Sequence, residues 1–536
     1  MIRTAAAFLA LSCPASAQTF FPHDVPDFVE RAEASGITHT YDGPWEYFVG
    51  GGAASFDCNG DRMPDLFLAG GANAARLFVN KSKPGGELLF EEKEISERPL
   101  KKVTGAYPIN IDNDAFMDLV VLRLGENMVF KGGPDCSFEP ANGLWNIDGG
   151  KEWTTAFSAI WEEGEEMPSL AFGNYVDREA PGSPWGTCHD NFLFRPTSAE
   201  YGDADLLSPG FCALSMLFTD WNNSGQFALR MTNDRQYHRG GREQLWDLRD
   251  GGRPREFGHS DGWRKLVIWG MGIAARDLTG DGRPEYALSS MGDTMLQSLD
   301  EDAEEDSPVY RDIAFEKGTT AHRPYVGDVV RPSTGWHTQF EDMNNDSFTD
   351  LFIAKGNVEA MTDFADFDPD NLLMGTSQGL FVEKGLEAGI ALDRRGRGAV
   401  LEDFNADGLV DLLVVNRASP ASLFQNMGAK TDWGHRPMGN FLRIELDNGD
   451  VNRHGVGAVV TVKTGNVIQT RTVEVGGGHG SGQSGFLHFG LGVAERAEVR
   501  IKWPGGDRSK PYRVFSNNFV VIEKGEDEAQ YWYAPE

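Results

Sequence analysis

Five short segments of this chain carry oxygen-bearing side chains at alternate positions, which is the arrangement that a hard cation such as Ca²⁺ requires. Each segment has nine residues, with side-chain ligands at positions 1, 3, 5 and 9 and the main-chain carbonyl of position 7 between them. The five sets are Asp57, Asn59, Asp61, Met63 and Asp65; Asn110, Asp112, Asp114, Phe116 and Asp118; Asp277, Thr279, Asp281, Arg283 and Glu285; Asp342, Asn344, Asp346, Phe348 and Asp350; and Asp403, Asn405, Asp407, Leu409 and Asp411. The spacing predicts about five Ca²⁺ sites.

An EF-hand and a plain hairpin turn are the two alternatives for these segments. An EF-hand needs a bidentate Glu at position 12 and helical flanks, whereas apolar runs such as 66–68 and 351–353 follow position 9 here and are typical of strands. Plain Asp/Asn/Gly hairpin turns would need no metal. Clustered carboxylates repel one another by roughly 1 kcal/mol per pair even when solvated. Five copies in the same register therefore favour metal.

The acidic segments recur at near-regular intervals and indicate a repeat fold. Two weaker copies fill the gaps, one at Trp161, Glu163, Glu165 and Ser169, the other at Asp220, Asn222, Ser224 and Ala228. The first positions then fall at 57, 110, 161, 220, 277, 342 and 403. Seven near-equal units with short strands predict an all-β fold, a seven-bladed β-propeller. Metal is not expected at the two weak copies.

A second register suggests where the axis of the ring lies. Five residues before each first position stand Gly52, Gly105, Ala156, Ser215, Gly272, His337 and Gly398. Six of the seven are small, as the innermost strands of a propeller require. His337 is predicted to project toward the central channel near Trp336 and Arg397, as a speculative ligand site. The alternative is a histidine packed between blades.

The two ends of the chain suggest export and a second domain. Residues 1–17 combine Arg3, an apolar stretch and Ala15-Ser16-Ala17, which predicts a cleavable signal peptide and a secreted or periplasmic protein. No later stretch is apolar enough for a membrane span. The repeats are assigned to residues 18–430, a small β-sandwich domain to 431–525 and a loose tail to 526–536. A glycine-rich stretch at 480–485 is predicted to be a turn.

The cysteines and the net charge indicate the disulfide pairing and limit the classes of partner. Removal of the leader leaves Cys58, Cys136, Cys188 and Cys212, which allow three pairings. The pairs Cys58–Cys136 and Cys188–Cys212 are preferred because both loops are then local. A formal net charge of -32 argues against nucleic acid and anionic membranes as partners.

Several C-terminal strings carry a family resemblance. The strings Val456-Gly457-Ala458, Gly480-Ser481-Gly482-Gln483, Leu487-His488-Phe489-Gly490-Leu491-Gly492 and Trp503-Pro504-Gly505-Gly506 resemble the ASPIC/UnbV domain. The acidic repeats resemble the FG-GAP/VCBS type found in integrin α chains, and the combination is similar to the cartilage acidic protein family. The resemblance implies a secreted, calcium-binding propeller with a small C-terminal β-domain that serves in adhesion-like or scaffold interactions. It implies no catalytic residue.

Two classes of function remain from the sequence. In the first, the chain is a non-enzymatic module that binds a protein or a glycan. In the second, the pore beside His337 and Arg397 is a lectin site or the active site of a polysaccharide-active enzyme. The chain has no H-E-x-x-H, P-loop or G-x-S-x-G motif, and the string at 480–485 satisfies G-x-G-x-x-G without a helix after it. The first class is favoured.

Overall fold

The computed structural model describes residues 24–95, 98–234, 240–248, 252–304, 306–320, 331–449 and 451–535. The predicted signal peptide, 1–17, lies outside the described residues. Strands dominate the described ranges, and the helical elements are short: Trp45–Tyr47, Pro134–Cys136, His259–Asp261 and Ala314–Lys317. No helix in these ranges has the length and apolar character needed to cross a bilayer.

Seven antiparallel four-stranded sheets follow one another along the repeat region, called here ring sheets 1 to 7. The strands of sheets 1 to 4 are Ala53–Phe56, Asp65–Leu68, Arg76–Asn80 and Phe90–Lys93; Val103–Ile109, Asp118–Arg123, Met128–Gly133 and Ser137–Pro140; Thr154–Ile160, Ser169–Asn174, Asn191–Phe194 and Asp205–Leu207; and Ala213–Thr219, Ala228–Asn233, Gln244–Asp247 and Arg255–Glu256. Those of sheets 5 to 7 are Gly270–Arg276, Glu285–Ser290, Met295–Leu299 and Tyr310–Asp312; Gly335–Glu341, Asp350–Lys355, Asn371–Gly375 and Phe381–Glu383; and Gly396–Glu402, Asp411–Asn416, Ser422–Thr431 and Pro26–Glu30.

The seven sheets close on themselves. The first strand of each ring sheet packs against the first strand of the next, and that of sheet 7 packs against that of sheet 1. Sheet 7 takes its outermost strand, Pro26–Glu30, from the amino-terminal end, where Phe28 pairs with Asn426, and the short strand Gly434–Arg436 extends it. This closed, all-β arrangement is consistent with a β-propeller.

The inner strands are buried on both faces because neighbouring sheets stack face to face. Leu119, Val120 and Val121, on the second strand of sheet 2, are fully buried. Phe157 of sheet 3 lies 5.3 Å from Tyr107 of sheet 2, measured between ring centroids. Such aromatic contacts add to the apolar area that holds adjacent sheets together.

The C-terminal region forms two further four-stranded sheets around a separate core. In spatial order they are Leu487–Gly492, Asn440–Asp447, Asn518–Glu523 and Gln530–Trp532, and Val467–Thr472, Val459–Thr464, Arg496–Lys502 and Tyr512–Phe515. Leu442, Ile444, Val460, Val499 and Val520 are buried between them. The strand Gln530–Trp532 pairs with Asn518–Glu523, so the prediction of a loose tail over 526–536 is wrong for these residues.

A segment of the C-terminal domain fills the axis of the ring. Residues 475–484, called here the axial segment, contact all seven ring sheets. The hydrogen bonds are Ala159 N to Val475 O, Gly477 N to Met216 O, Gly478 N to Ile273 O, His479 N to His337 Nδ1, Gln483 Nε2 to Leu401 O, Ala53 N to Ser481 Oγ and Ala106 N to Gly480 O. Gly482 and Gln483 also pair in parallel with Ala54 and Ser55. The glycine-rich stretch is therefore not the turn expected at 480–485.

The axial segment also explains the small residues of the inner strands. A Cβ on Gly52 would lie 1.7 Å from Gly480 O, and one on Gly105 would lie 2.4 Å from the same oxygen. A Cβ on Gly398 would lie 2.4 Å from Ser481 Oγ. These positions are small because a second stretch of backbone occupies the axis, in addition to the crowding of strands that the sequence suggested.

Two disulfides join neighbouring elements of the ring. Cys58 pairs with Cys136, which ties sheet 1 to sheet 2. Cys188 pairs with Cys212, which ties sheet 3 to the start of sheet 4. These are the two local pairs that the sequence analysis preferred.

Candidate calcium loops and the filled axis

The five acidic segments are the turns between the first and second strands of ring sheets 1, 2, 5, 6 and 7. Their fourth residue has a left-handed backbone in every case: φ is 86° at Gly60, 59° at Asn113, 76° at Gly280, 59° at Asn345 and 52° at Ala406. That conformation reverses the chain and is tolerated best by Gly and Asn. The shared geometry shows that these segments form one kind of loop.

The ninth residue of each loop has a structural role that its spacing alone does not reveal. Asp350 accepts hydrogen bonds from Met343 N, within the loop, and from Gly375 N, on the third strand. The carboxylates of Asp65, Asp118 and Asp411 repeat both contacts in their own sheets. The ninth carboxylate therefore fastens each loop to the third strand, and its remaining lone pairs are available for a cation.

The loops at 342–350 and 403–411 lie beneath the C-terminal domain. Gly492 N donates to Asn345 O at 2.9 Å, and a Cβ on Gly490 would lie 1.9 Å from Asp342 Oδ2. In the other loop, a Cβ on Gly408 would meet the Phe441 ring at 1.9 Å. Both loops are thus enclosed between the two parts of the protein.

Burial makes charge in these two loops costly. It raises the pKa of Asp342 and of Asp350 well above the usual range, and repulsion from Asp346 adds to both shifts. The pKa of Asp403 and of Asp411 rises for the same two reasons, with Asp407 as the repelling neighbour. Such groups stay ionised at neutral pH only when a cation compensates them.

The other three loops are more open. Burial raises the pKa of Asp65 and of Asp118 to about 7, and it also raises that of Glu285. In the 110–118 loop, the ammonium of Lys131 bridges Asp112 and Asp114. An internal cation therefore already neutralises two of that loop's expected ligands.

The donor set fits Ca²⁺ best at the 403–411 loop. Asn405 is fully buried, and its Oδ1 accepts no hydrogen bond from the described part of the chain. The carboxylate oxygens of each loop do not all lie close enough together to hold one ion. Among the described residues, the only three His, Cys, Asp or Glu side chains with ligand atoms within 4.8 Å of one another are Cys58, Asp65 and Cys136, and the two cysteines form a disulfide. Ion binding would require side-chain rotations that bring these oxygens together.

The two weak copies differ from the five loops in ways that disfavour metal. Ser169, at position 9 of the first, donates to Glu162 Oε1 at 2.6 Å instead of offering a carboxylate. In the second, Asp220 lies 3.8 Å from the ammonium of Lys502, and position 9 is Ala228.

The structure brings together the three residues of the speculative pore site and buries them. Trp336 and Arg397 are fully buried, with the guanidinium carbon of Arg397 4.0 Å from the centroid of the Trp336 ring. Arg397 donates from Nε to Phe48 O and from Nη2 to Val358 O. His337 accepts from His479 N, and burial lowers its pKa to about 4. His479 of the axial segment packs against this group, contacting both His337 and the Trp336 ring.

His479 is held in one tautomer at the centre of the ring. Its Nε2 accepts from Gly50 N at 3.1 Å, and its Nδ1 lies 3.3 Å from Met271 O, so the proton resides on Nδ1. Burial lowers the pKa of His479 to about 3, and its ring lies 5.1 Å from that of Trp336. The residue is a neutral packing element of the axial segment.

Ion pairs fix the C-terminal domain to the ring. Arg471 Nη1 lies 2.8 Å from Glu341 Oε1, and Arg443 contacts Glu402, with both members of each pair largely buried. Glu341 and Glu402 directly precede the 342–350 and 403–411 loops. The same face of the ring therefore carries the loops and the docking contacts.

A cleft of about 1130 Å³ separates the remainder of this face from the C-terminal domain. Glu474, Arg276 and His454 line it. Burial raises the pKa of Glu474 to about 8 against the influence of Arg276 and Arg471, and it lowers the pKa of His454 to about 4. Glu474 and His454 are thus largely uncharged at neutral pH, although charged side chains such as Arg471 and Lys502 also line the cleft.

We expect Glu474→Gln to stabilise the protein at high pH only. Because the folded state raises the pKa of Glu474 above its unfolded value near 4.5, folded protein retains the proton longer, and stability falls as pH rises from about 4.5 to about 8. The variant loses this dependence. The gain in the free energy of unfolding over the parent should be near zero at pH 5 and on the order of 2 kcal/mol at pH 9. This is less than the full pKa shift would give, because the side chain still faces the cleft. Urea unfolding at both pH values measures the difference, and an equal effect at both would exclude this titration.

Two comparisons concern sequence. The family described as ASPIC and UnbV matches residues 449–529. Cartilage acidic protein 1 of Mus musculus is 29% identical over 169 residues, which are 30% of this chain and 23% of that protein. The Homo sapiens protein of the same name is 32% identical over 129 residues, 23% of this chain and 18% of the relative. The chain therefore spans less than a quarter of the length of these relatives.

Solved structures give weaker likenesses. One titled as BBS1N in complex with ARL6DN has a TM-score of 0.44 at 10% identity and covers 76% of this chain and 98% of that chain. A lectin of Agrocybe aegerita that recognises terminal N-acetylglucosamine has a TM-score of 0.38 at 13% identity and covers 68% and 88%. Scores this low assign no function. By its sequence, the chain therefore matches the ASPIC and UnbV family over residues 449–529 and is similar over part of its length to cartilage acidic protein 1.

Proposed function

We propose that this protein is a secreted, calcium-stabilised and non-enzymatic binding module, built as a seven-bladed β-propeller whose C-terminal domain is locked onto one face. The observation that carries the proposal is the burial of the 342–350 and 403–411 loops between the two parts. Six carboxylates stand at ligand positions there, and those at the first and ninth positions have raised pKa values because of burial and mutual repulsion. Ca²⁺ would neutralise them and hold the domain in place.

Export is supported by the two disulfides, which persist in oxidising compartments. A non-enzymatic role is supported by the axis, where the chain's own backbone lies over Trp336, His337 and Arg397. The pore-based lectin or polysaccharide enzyme is therefore the weaker alternative. The partner is proposed to be a protein or a glycan that binds a calcium-rigidified surface. A glycan array and a pull-down with CaCl₂ and with EDTA test this, and equal capture in both would argue against a calcium-dependent surface.

Calcium binding itself is tested by stoichiometry. After dialysis against chelator and then against 1 mM CaCl₂, chosen to match the roughly millimolar affinity of extracellular modules, elemental analysis is expected to find about four bound ions per chain above the buffer background. The 57–65, 277–285, 342–350 and 403–411 loops would hold them. Absence of bound calcium, together with no heat in a calorimetric titration, would overturn the proposal.

The 110–118 loop is expected to bind calcium more weakly because Lys131 neutralises Asp112 and Asp114. Replacing Lys131 with Met removes this ammonium while keeping an unbranched side chain, so calcium is expected to bind there. Elemental analysis should find about one more ion per chain, and the added site should release its ion to EDTA. Lys510→Met, which removes an exposed lysine that lies outside the five loops and pairs with Asp527, is the control and should leave the count unchanged.

A further inference from the structure

One wall of the cleft between the ring and the C-terminal domain is a sheet face that carries three hydroxyl groups, called here the threonine row. Thr461 pairs directly with Thr470 on the neighbouring strand, and Thr472 lies two residues further along the same face. The alternate residues Val460 and Val462 point into the domain core instead. All three threonines are half-buried, and their hydroxyl groups make no hydrogen bond within the described part of the chain. The wall therefore presents three groups that can each donate and accept.

Glu474 continues the threonine row toward the axis, two residues beyond Thr472. Its carboxyl group lines the cleft and makes no hydrogen bond with the residues that the structure describes. Burial raises the pKa of Glu474 to about 8, so at neutral pH the group is mostly a carboxylic acid that both donates and accepts. Hydroxyl groups of a sugar have the same two capacities, so this wall matches a polyhydroxylated ligand.

The ring side of the cleft holds an arginine without an acidic partner. Arg276 ends the first strand of ring sheet 5, and its Nη2 donates to Phe340 O at 2.7 Å. In the described ranges no carboxylate forms an ion pair with Arg276, and its Nε and Nη1 have no acceptor. Burial and repulsion from Arg471 lower the pKa of Arg276 to about 9, as expected for a positive charge that lacks full compensation. The guanidinium can therefore pair with a carboxylate supplied by a ligand.

The acidic side chains of the lining leave room for such an anion. Glu402 and Glu445 each pair with an arginine. Asp277 belongs to a loop that is expected to hold Ca²⁺. Glu163 and Glu165 are exposed at the rim, where solvent and salt screen their charges. Negative charge near Arg276 is thus largely neutralised or screened.

The rim provides access and aromatic surface. It is formed by the turn Trp503-Pro504-Gly505-Gly506 and by the two weak copies of the acidic loop. A Cβ on Gly505 or Gly506 would meet nothing within 4 Å, so the turn borders open space. Trp161 stands at the first position of its weak copy, where the five loops carry Asp or Asn, and both Trp161 and Phe227 are half-buried in the lining. Their rings offer flat apolar surface against which the faces of sugar rings can pack.

We propose that the cleft binds an acidic glycan, an oligosaccharide built from uronic acid residues. One sugar carboxylate would pair with Arg276, and the hydroxyl groups would bond to the threonine row and to Glu474. The glycan is the partner expected from the proposed binding function, on which this inference rests. A peptide would leave most of the hydroxyl groups of the wall unmatched, and a neutral glycan would leave Arg276 without a counter-charge. The volume of about 1130 Å³ gives room for several linked sugars.

Calorimetric titration of the full-length protein in calcium-containing buffer tests the proposal with trimers of galacturonate, mannuronate and glucuronate, each beside its methyl ester. The ester keeps the shape and the hydroxyl groups but removes the charge. At least one trimer is expected to bind about tenfold or more tightly than its ester. Arg276→Gln should abolish this preference, and Arg276→Lys should keep part of it. Arg311→Gln, in the same ring sheet but outside the cleft lining, should bind as the parent does.

The hydroxyl groups are tested separately from the charge. Thr470→Val keeps the shape of the side chain and removes one hydroxyl group, so the trimer and its ester should both bind about threefold to tenfold more weakly. An unchanged affinity in Thr470→Val would remove the threonine row from the site. If Arg276→Gln does not fold, the comparison with the ester and Thr470→Val carry the test.

Equal binding of every trimer and its ester would overturn the proposal, as would the absence of binding of all three trimers at millimolar concentration. Capture of only a neutral glycan or a protein would also overturn it, while leaving the proposed binding function intact. Uronate binding by a chain that holds no calcium would have the opposite meaning, because it would support the acidic glycan and contradict the calcium-stabilised module.

Discussion

Chelation of calcium is expected to lower the melting temperature by roughly 10 °C. Extracellular calcium modules have dissociation constants of about 0.1 to 1 mM, so each site at tenfold excess of calcium contributes about 1.4 kcal/mol. Four or five sites contribute roughly 6 to 7 kcal/mol, and one kcal/mol corresponds to a few degrees or less in a chain of this size. Differential scanning calorimetry in 1 mM CaCl₂ and in EDTA measures the shift.

The pH dependence of stability in the chelated protein is a second test of calcium binding. The pKa of Asp65 and of Asp118 is raised to about 7, so folded, metal-free protein holds more protons than unfolded protein between about pH 4 and pH 7. These carboxylates make stability fall as pH rises through that window, whereas the buried His337, His454 and His479, whose pKa values are lowered, act in the opposite direction. Calcium replaces the carboxylate protons and leaves the histidines unchanged, so stability should fall less, or rise more, with pH in CaCl₂ than in EDTA. The same pH dependence in CaCl₂ and in EDTA would contradict calcium binding at these carboxylates.

Asp346 from a buried loop and Asp220 from a weak copy allow a controlled test of the response to EDTA. Asp346 and Asp220 are both in turns between first and second strands, but the unit with Asp220 has Ala228 where the other has Asp350. Asp346→Asn should lose part of the response to EDTA. Asp220→Asn should keep all of it. An undiminished response in Asp346→Asn would remove that loop from the set of sites.

Substitution of Gly478 is expected to be among the most damaging single changes in the chain. Gly478 has φ of 55°, and a Cβ there would lie 2.3 Å from Cε1 and 2.5 Å from Nδ1 of His337. Neither group can move freely, because His337 is 3% exposed and its Nδ1 accepts from His479 N. Gly478→Val should therefore cost about 4 kcal/mol or more, combining backbone strain with overpacking.

Gly465 provides the control because it shares the backbone conformation without the contact. Its φ is 58°, it lies in the turn between Val459–Thr464 and Val467–Thr472, and a Cβ there would meet nothing within 4 Å. Gly465→Val should cost only the backbone strain, about 1 to 2 kcal/mol. Guanidinium unfolding of both variants gives the difference. Equal losses would mean that the axial segment does not hold the ring together.

Much of the ring could be predicted from the sequence because its signals are local. The acidic loops and the apolar runs after them mark the turn and second strand of each sheet, and the small residues five positions earlier mark the inner strand. The strand Pro26–Glu30 carries no comparable mark, since its assignment to sheet 7 depends on pairing with Asn426, about 400 residues away. The same holds for the axial segment, where a run of glycines suits a turn and an axial insertion equally well.

The sequence by itself determined where the loops carry oxygen-bearing side chains, the number of repeated units and the two-part organisation, because each depends on spacing along the chain. Only the tertiary structure decided which loops lie beneath the C-terminal domain, why the pore residues are buried, and that Trp45, Trp153, Tyr175 and Asp234 line one cavity. Trp153 and Tyr175 lie at strand ends of sheet 3 and Asp234 at a strand end of sheet 4, whereas Trp45 precedes the ring. They share no periodicity, so closure of the ring is what brings them together.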